Sequence, residues 1–148
     1  MPDIEFGGEE SFTSPPERVF DVLTDLDHMA RTIPDLVSSQ RVDDHTLKCV
    51  VRPGFSFLRG TMKLTIAIAD VHRPTDARMN VDASGIGVTM RVESQIRVES
   101  EGPGSKLLWT ARVTQAKGLV ASLSPALLRA AADQIIRHAW LQVRAIAP

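Results

Sequence analysis

The alternation of apolar and polar residues between Leu36 and Gln115 is the feature that most constrains the fold of this chain. Alternation with period two is typical of β-strands that bury one face and expose the other. Short segments rich in Gly, Pro and Asp interrupt the alternation and divide the region into six strands. Strands joined by such short turns pair in antiparallel order, so the pattern predicts an antiparallel meander. The interrupting segments are 43–45, 53–54, 73–76, 85–87 and 101–104.

The segments on either side of this meander predict one further strand and three helices. Residues 4–12 alternate and predict a first strand. Segment 14–17 (SPPE) is typical of a helix start, with Ser14 as the capping residue and Glu17 completing a capping box, and Asp25 is expected to cap a second short helix. After the last strand, apolar residues recur at helical spacing from a cap at Ser124 to about Ile146. The expected order is therefore strand, two helices, six strands and one long helix.

The length and composition exclude several classes of protein. At 148 residues the chain is long enough for one domain with one core, and we expect residues 1–148 to form it. No apolar run approaches the roughly 20 residues that a bilayer-spanning helix needs, and residues 1–10 lack the features of a secretion signal. We therefore expect a cytoplasmic protein without a transmembrane segment. With 17 basic and 18 acidic residues and no basic run, nucleic acid is not an expected partner.

Groups that carry catalysis or bind metal are scarce at the positions predicted to face inward. The four histidines lack the spacing of metal ligands, and we expect each of them on the surface; they are His28, His45, His72 and His138. A nucleophile elbow, a phosphate loop and a dinucleotide fingerprint are all absent from the sequence. Cys49 alternates in phase with apolar neighbours and is expected to be a small buried residue. The sequence thus predicts no catalytic residue, no metal site and no cofactor.

The inward faces instead carry methionine and aliphatic side chains, which suit a deformable cavity for a hydrophobic small molecule. Met62, Met79 and Met90 share the apolar phase of three successive strands, and thioethers adapt to irregular guests. Ala132 and Ala139 lie in the predicted buried arc of the final helix, where a filled core would use larger residues. The predicted cavity lining consists of Phe55, Phe57, Met62, Leu64, Ile66, Met79, Val81, Met90, Val92, Trp109, Ala111, Leu128, Ala132, Ile135 and Ala139.

Three of these signals have a second interpretation that the sequence leaves open. Each methionine, taken singly, is also consistent with plain packing in a filled core. A helix that packs closely on a sheet also needs alanine at the contact, so Ala132 and Ala139 are equally consistent with a filled core. The apolar loop 53–58, which contains Phe55 and Phe57, is either a plug at the end of the core or a lid that contacts ligand, partner or lipid.

Polar and aromatic residues around the predicted cavity give two more expectations. The inward polar side chains reduce to Ser38, Gln40 and Ser94, with Asn80 or Asp82 in addition if the phase of that strand is reversed. Binding would therefore depend on apolar burial, and specificity would be broad. Trp140 falls on the charged side of the helical wheel, where we expect it to stack on an arginine.

Several segments of the sequence resemble one known family. They are 14–25 (SPPERVFDVLTD), 33–35 (IPD), 60–62 (GTM) followed by 70–71 (DV) and Pro74, and 117–123 (KGLVASL). With the order of elements, they resemble the START-like (SRPBCC) superfamily, which includes the major birch-pollen allergen and the polyketide cyclases. Within it the chain is most similar to the family of CoxG, a carbon monoxide dehydrogenase subunit. The resemblance implies an α+β helix-grip fold (START-like, Bet v 1-like), in which a curved seven-stranded antiparallel sheet surrounds a long C-terminal helix.

The resemblance also implies a function. A cavity between the sheet and the final helix would bind a hydrophobic or amphipathic small molecule, lipid-like or quinone-like, without catalysis. The protein would be an accessory to a molybdenum-containing carbon monoxide dehydrogenase. Some family members have a C-terminal tail that contacts membrane; because this chain stops at Pro148, membrane contact is not expected. Two alternatives stay open, an enzyme of the polyketide cyclase or aromatase type and a protein-interaction module with a filled core.

Overall fold

The computed structural model describes residues 4–33, 35–52 and 60–148, except for the side chains of residues 119 and 120. Its elements follow the predicted order of one strand, two helices, six strands and a long helix. In chain order they are β1 (Ile4–Phe12), α1 (Pro16–Thr24), α2 (Leu26–Thr32), β2 (Leu36–Arg41), β3 (Thr46–Val51), β4 (Met62–His72), β5 (Asp76–Gly85), β6 (Val88–Glu101), β7 (Gly104–Gly118), a 3-10 turn (Leu119–Ser122) and α3 (Pro125–Ile146).

The seven strands form one antiparallel sheet in the order β1-β7-β6-β5-β4-β3-β2. Every strand from β2 to β7 pairs with its neighbour in sequence, which is the predicted meander, and β1 joins the far edge beside β7. Because side chains alternate between the faces of a strand, the register aligns apolar rows across the sheet. One such row places Ile96 opposite Trp109 and Trp109 opposite Gly8. The helix-grip fold expected from the sequence is confirmed.

The helix starts agree with the sequence in two of three cases. The Asp25 carboxylate accepts hydrogen bonds from the backbone N–H groups of Asp27 and His28 and caps α2, and the Ser124 side chain accepts one from Leu127 and caps α3. The prediction for Ser14 is wrong. The N-cap of α1 is Pro15, without a side-chain cap, so Ser14 lies one residue before the cap position; its backbone N–H donates to the carbonyl oxygen of Pro148 at 2.7 Å.

A β-bulge changes the phase of the side chains on the edge strand β2. The register with β3 shifts between Leu36 and Ser38, so one extra residue reverses the alternation from that point onward. Ser38 and Gln40 are therefore exposed on the outer face of the sheet, and their predicted inward orientation is wrong. A bulge leaves no trace in a simple apolar–polar pattern, which explains the error.

The buried apolar residues form two core clusters, and the half-buried side chains of Ile33, Leu36 and Leu64 pack against both. The first lies where α1, α2 and the C-terminal end of α3 meet the sheet and includes Phe20, Leu107 and Val143. The second contains Val51, Met62, Ala83, Val88 and Ala116, with Leu128 of α3 packed against it. The fold is thus closed at two places, and the middle of α3 lies between them.

Candidate functional site

The apolar residues between the two core clusters are only half-buried. On the sheet they come from β1, β6 and β7, and on α3 they lie between the parts of the helix that reach each cluster. They are Phe6, Val92, Ala111, Ala132, Ile136 and Ala139, all facing the space between sheet and helix and none belonging to either cluster. Interior apolar side chains usually reach full burial by packing against one another. These residues form the centre of the candidate site.

Most residues predicted to line a cavity are found on the inner face of the sheet or of α3. Met62 and Ile66 are fully buried within the core clusters. Half-buried members are Leu64, Met79, Val81, Met90, Val92, Trp109, Ala111, Leu128, Ala132 and Ala139. Phe55 and Phe57 lie outside the described residues, so the lid and plug interpretations of their loop both stay as stated.

The prediction for Ile135 is wrong. Its side chain is 45% exposed and belongs to the outer face of α3, together with Leu127 and Leu141. The cause is the orientation of Trp140, which is half-buried and packs toward the first core cluster instead of stacking on an arginine. A helix can turn only one arc toward the sheet, and burying an indole removes more apolar surface from water than burying an isoleucine. The size of Trp140 was the signal that sequence reasoning missed.

Trp109 of β7 and Trp140 of α3 connect the sheet to the helix. Their ring centroids are 5.9 Å apart and their planes are inclined at 53°, a tilted arrangement typical of favourable aromatic pairs. Both indole nitrogens are buried, and neither has a hydrogen-bond partner within the described part of the chain. The candidate site therefore contains two polar donors in an otherwise apolar surface.

Gly8 of β1 leaves the space that the Trp109 ring occupies. A Cβ atom at this position would lie 3.2 Å from Nε1 of Trp109 and 3.4 Å from Cε2 and Cζ2. Contacts this short are tighter than ordinary van der Waals packing, so any larger residue would push the indole away from the edge strand. The alternation over residues 4–12 places Gly8 in phase with Phe6 and Phe12, but a glycine adds no apolar side chain to the pattern, so this role gave no signal in the sequence.

An opening of about 320 Å³ separates β1 from α3. Its apolar wall consists of Phe6, Trp109 and Ile136, and its rim carries the charged residues Glu5, Arg129, Asp133 and Arg137. This rim is hydrophilic on both sides, while the wall continues into the half-buried inner surface. The opening is thus a connection between solvent and the candidate site.

Two arginines hold α3 against β1 on either side of this opening. Arg129 donates from Nη1 to the backbone carbonyl of Glu5 at 3.4 Å, and its guanidinium lies 5.4 Å from the centre of the Phe6 ring. Arg144 donates from Nη2 to the Glu10 carboxylate at 2.9 Å. The helix is fastened near both ends and has no such contact at Asp133 or Arg137 among the described residues.

Titratable groups contribute little to the candidate site. Ser94 faces inward and donates from Oγ to the Met79 carbonyl at 3.2 Å, so its hydroxyl is already used. Burial raises the pKa of the Cys49 thiol, which keeps it protonated and unreactive at neutral pH. His45, His72 and His138 are exposed as predicted, whereas His28 is half-buried on α2. Within the described ranges no group of three or more His, Cys, Asp or Glu side chains could hold a metal ion.

Two larger hollows lie on the opposite, outer face of the sheet. They measure about 740 and 630 Å³. Apolar area forms the larger share of both surfaces, but each also carries exposed polar and charged side chains, for example Arg78, Gln95 and Thr110 in the first and Lys48, Lys63 and Asp82 in the second. Both hollows lie on the solvent-facing side of the sheet, whereas α3 covers the inner face and can enclose an apolar molecule, so the inner face is the better candidate in spite of its smaller opening.

The curved antiparallel sheet and the long C-terminal helix define a START-like helix-grip protein, and solved structures show the same fold. A conserved protein from Geobacillus kaustophilus superposes with a TM-score of 0.88 at 17% identity, covering 96% of this chain and 93% of that chain. A START superfamily protein from Mycobacterium smegmatis gives 0.69 at 12% identity, covering 95% and 94%. The protein described as Ara h 8.0201 gives 0.72 at 14% identity, covering 97% of both chains.

The family is given by the sequence itself. Residues 8–146 match the family of the carbon monoxide dehydrogenase subunit CoxG, and the chain belongs to this family. No curated protein matches the chain. Within the described ranges, no helix combines the length and apolar character required to cross a membrane.

Proposed function

We propose that this protein is a non-enzymatic carrier of a hydrophobic small molecule, lipid-like or quinone-like, held between the inner face of the sheet and α3. One observation carries the proposal: a continuous set of apolar residues at this place belongs to neither core cluster and stays half-buried. Removing such surface from water is worth roughly 25 cal/mol per Å², which is the driving force available to an apolar ligand. Proteins with the START-like fold, which this chain shares, commonly bind hydrophobic ligands.

The chemistry of the inner face favours a carrier over an enzyme of the cyclase or aromatase type. Catalysis would require a titratable group facing the ligand with a partner that tunes it. The described inner face offers Ser94, whose hydroxyl is bound to a backbone carbonyl, and two indole N–H groups, which do not titrate. The other buried polar side-chain atoms without a partner among the described residues are Oγ1 of Thr114, which does not titrate, and Nδ1 of His28 on α2. Carboxylates of the neighbouring strands, such as Asp82 and Glu93, are exposed on the outer face and paired with arginines.

The test is direct binding of butylbenzene, a compact apolar probe, monitored by thermal unfolding and by tryptophan emission. The emission reports on this site because the chain has two tryptophans, both here, and no tyrosine. We expect saturable binding, a raised midpoint and a changed emission spectrum. Native mass spectrometry of protein purified from its own host should also show a copurified apolar molecule. Absence of both results would leave the interaction module with a filled core as the better description.

The second part of the proposal is an accessory role beside a molybdenum-containing carbon monoxide dehydrogenase. Membership of the CoxG family supports it. Affinity purification from the native host under carbon monoxide-oxidising conditions should recover the dehydrogenase and its molybdenum, measured by elemental analysis. A cytoplasmic location is part of the same proposal and is checked by cell fractionation. Recovery of the protein alone under these conditions would argue for a carrier that serves another enzyme.

A further inference from the structure

We propose that the indole N–H groups of Trp109 and Trp140 are hydrogen-bond donors to the ligand, and that the ligand therefore carries an acceptor oxygen, such as a carbonyl, on an otherwise apolar skeleton. This inference rests on the proposed function and refines its ligand class. It assigns to the two tryptophans a role in orientation, in addition to their contribution to the apolar wall.

The argument begins with the cost of burying an unpaired donor. An indole has one N–H group and no acceptor, so it can be satisfied only by an oxygen or another acceptor brought to it. Buried donors in native proteins are nearly always paired, because leaving one unpaired forfeits its hydration without replacement. Here two such donors, Nε1 of Trp109 and Nε1 of Trp140, are buried without a described partner in rings 5.9 Å apart. A shared ligand explains both groups at once.

The position of Trp109 supports this assignment. Its side chain lines the opening between β1 and α3, so a molecule that enters there meets the indole before it reaches the deeper apolar residues. The opening lies between the contacts that Arg129 and Arg144 make with β1, and between those contacts the described helix is not fastened to the strand. Both indole nitrogens are closed to a water-sized molecule in this structure, so the proposal requires the bound ligand to move the indole rings apart from their neighbours while its skeleton extends along the half-buried inner face.

The residues around the opening also limit the ligand class. Arg129 is occupied by the Glu5 carbonyl and the Phe6 ring, and the rim carries two acidic and two basic side chains. A rim of balanced charge does not select a strongly charged head group. A neutral acceptor recognised by neutral N–H donors is the chemistry that fits the wall behind it.

The experiment compares two probes that share a skeleton and differ at one position, butyrophenone with a ketone and butylbenzene with a methylene. In ¹⁵N-labelled protein the two indole N–H groups give the only two tryptophan side-chain signals, since the chain contains two tryptophans. We expect butyrophenone to move at least one indole proton downfield, as a new hydrogen bond does, and butylbenzene to leave both without such a shift. This measurement requires no substitution, so it shows whether the indole N–H groups bind the ketone even if the tryptophan variants fail to fold.

A second measurement uses Trp109→Phe and Trp140→Phe, which remove one N–H group each. The quantity compared is the ratio of the two dissociation constants, butylbenzene over butyrophenone, because hydration of the ketone cancels between parent and variant. We expect at least one variant to lower this ratio between about two- and ten-fold. The control Ile136→Val trims an apolar residue of the same wall and should leave the ratio unchanged.

The outcomes separate this inference from the proposed function. In one outcome, both probes bind while neither indole signal responds to the ketone and the ratio of dissociation constants is the same in all variants. This outcome would support the proposed carrier function and would contradict a role of the indole N–H groups in recognising the ligand. A resident water on the indoles would produce that result. If neither probe binds, the proposed function itself is overturned, and this inference with it.

Discussion

Trp109 and Trp140 set the rotation of α3 on the sheet, with ring centroids 5.9 Å apart. Pairs of this geometry contribute about 0.5–1.5 kcal/mol beyond the apolar area that they bury. The pairing turns Trp140 inward and leaves Ile135 exposed. The same rotation places Ala132 and Ala139, two small side chains, opposite the middle of the sheet, which is where the proposed ligand lies.

The first prediction concerns the close approach of Gly8 to the Trp109 ring. In Gly8→Ala the new methyl group would lie 3.2 Å from Nε1 and must displace the indole. We expect a changed tryptophan emission spectrum and a protein less stable than the parent by about 1 kcal/mol or more. Spectra and thermal unfolding of the two variants, measured side by side, check this.

Gly7→Ala is the matched control because it makes the same change one residue away. Its methyl group would approach the Trp109 carbonyl oxygen and Thr110 on the outer face and would not touch the indole. Its emission should equal that of the parent. Because both methyl groups would lie 3.2 Å from their nearest atom, the emission spectrum is the property that separates the two variants, and equal spectra would show that the Trp109 ring does not depend on Gly8.

Much of the fold could be predicted because its signals are local. Alternation predicted each strand, and the first strand and the end of the final helix agree with the predicted bounds at Ile4, Phe12 and Ile146. The bulge at Ser38 could not be predicted, since an inserted residue changes the face of every later side chain without changing the composition.

The candidate site was predictable on the sheet and less so on the helix. Strands paired in register fix which side chains share a face, so Met79 and Val92 were assigned to the correct side. The orientation of α3 depends instead on the competition between Trp140 and Ile135 for contact with the sheet. That competition is decided by tertiary packing, and a helical wheel weighs every position equally.

The second prediction is a dependence of stability on pH at the start of α2. Hydrogen bonds from the backbone N–H groups of His28 and Asp27 hold the pKa of the Asp25 carboxyl below its ordinary value of 3.8, although partial burial opposes this. Because the pKa is lower in the folded state, the stabilisation is complete above pH 3.8 and is lost as the pH falls through the folded-state value.

In Asp25→Asn the cap is kept and the titration removed, so this variant should lose less stability than the parent as the pH falls below 3.8. Asp25→Ala should be less stable by about 1 kcal/mol at neutral pH, because it lacks the capping oxygen. Urea unfolding at a series of pH values measures both effects. Parallel pH profiles for the parent and Asp25→Asn would contradict the assignment.

The third prediction concerns the turn after β7, where the chain leaves the sheet for α3. Gly118 has φ +79°, and a Cβ there would overlap the carbonyl oxygen of Gly87. Gly102 has φ +58°, but nothing lies within 4 Å of its hypothetical Cβ. Gly118→Ala should therefore cost more than about 3 kcal/mol and Gly102→Ala about 1 kcal/mol. Chemical denaturation compares them, and equal losses would mean that only the backbone angle matters.

The fourth prediction is that the histidines are not needed for binding. His72 is exposed, with Nδ1 2.8 Å from the Asp76 carboxylate, and this pair lies on the outer face. Alanine replacement of His28, His45, His72 or His138, one at a time, should leave the dissociation constant of butylbenzene within about three-fold of the parent, a change of less than one kcal/mol. A hundred-fold loss of butylbenzene affinity in any variant would instead favour an enzyme or a metal site at that histidine.

The last prediction tests open space against a filled core at Ala132, which is half-buried on the inner arc of α3. If the space beneath it is open, Ala132→Phe fills it with apolar surface, so the thermal midpoint should be unchanged or raised while butylbenzene binds at least about ten-fold more weakly. In a filled core the same change overpacks the interior and destabilises the protein by about 1–3 kcal/mol. Ala130→Phe is the control, because Ala130 is exposed on the same helix and carries the same difference in helix propensity. A midpoint clearly below that of Ala130→Phe, in a protein whose parent shows no shift with the probe, would rule out the binding cavity.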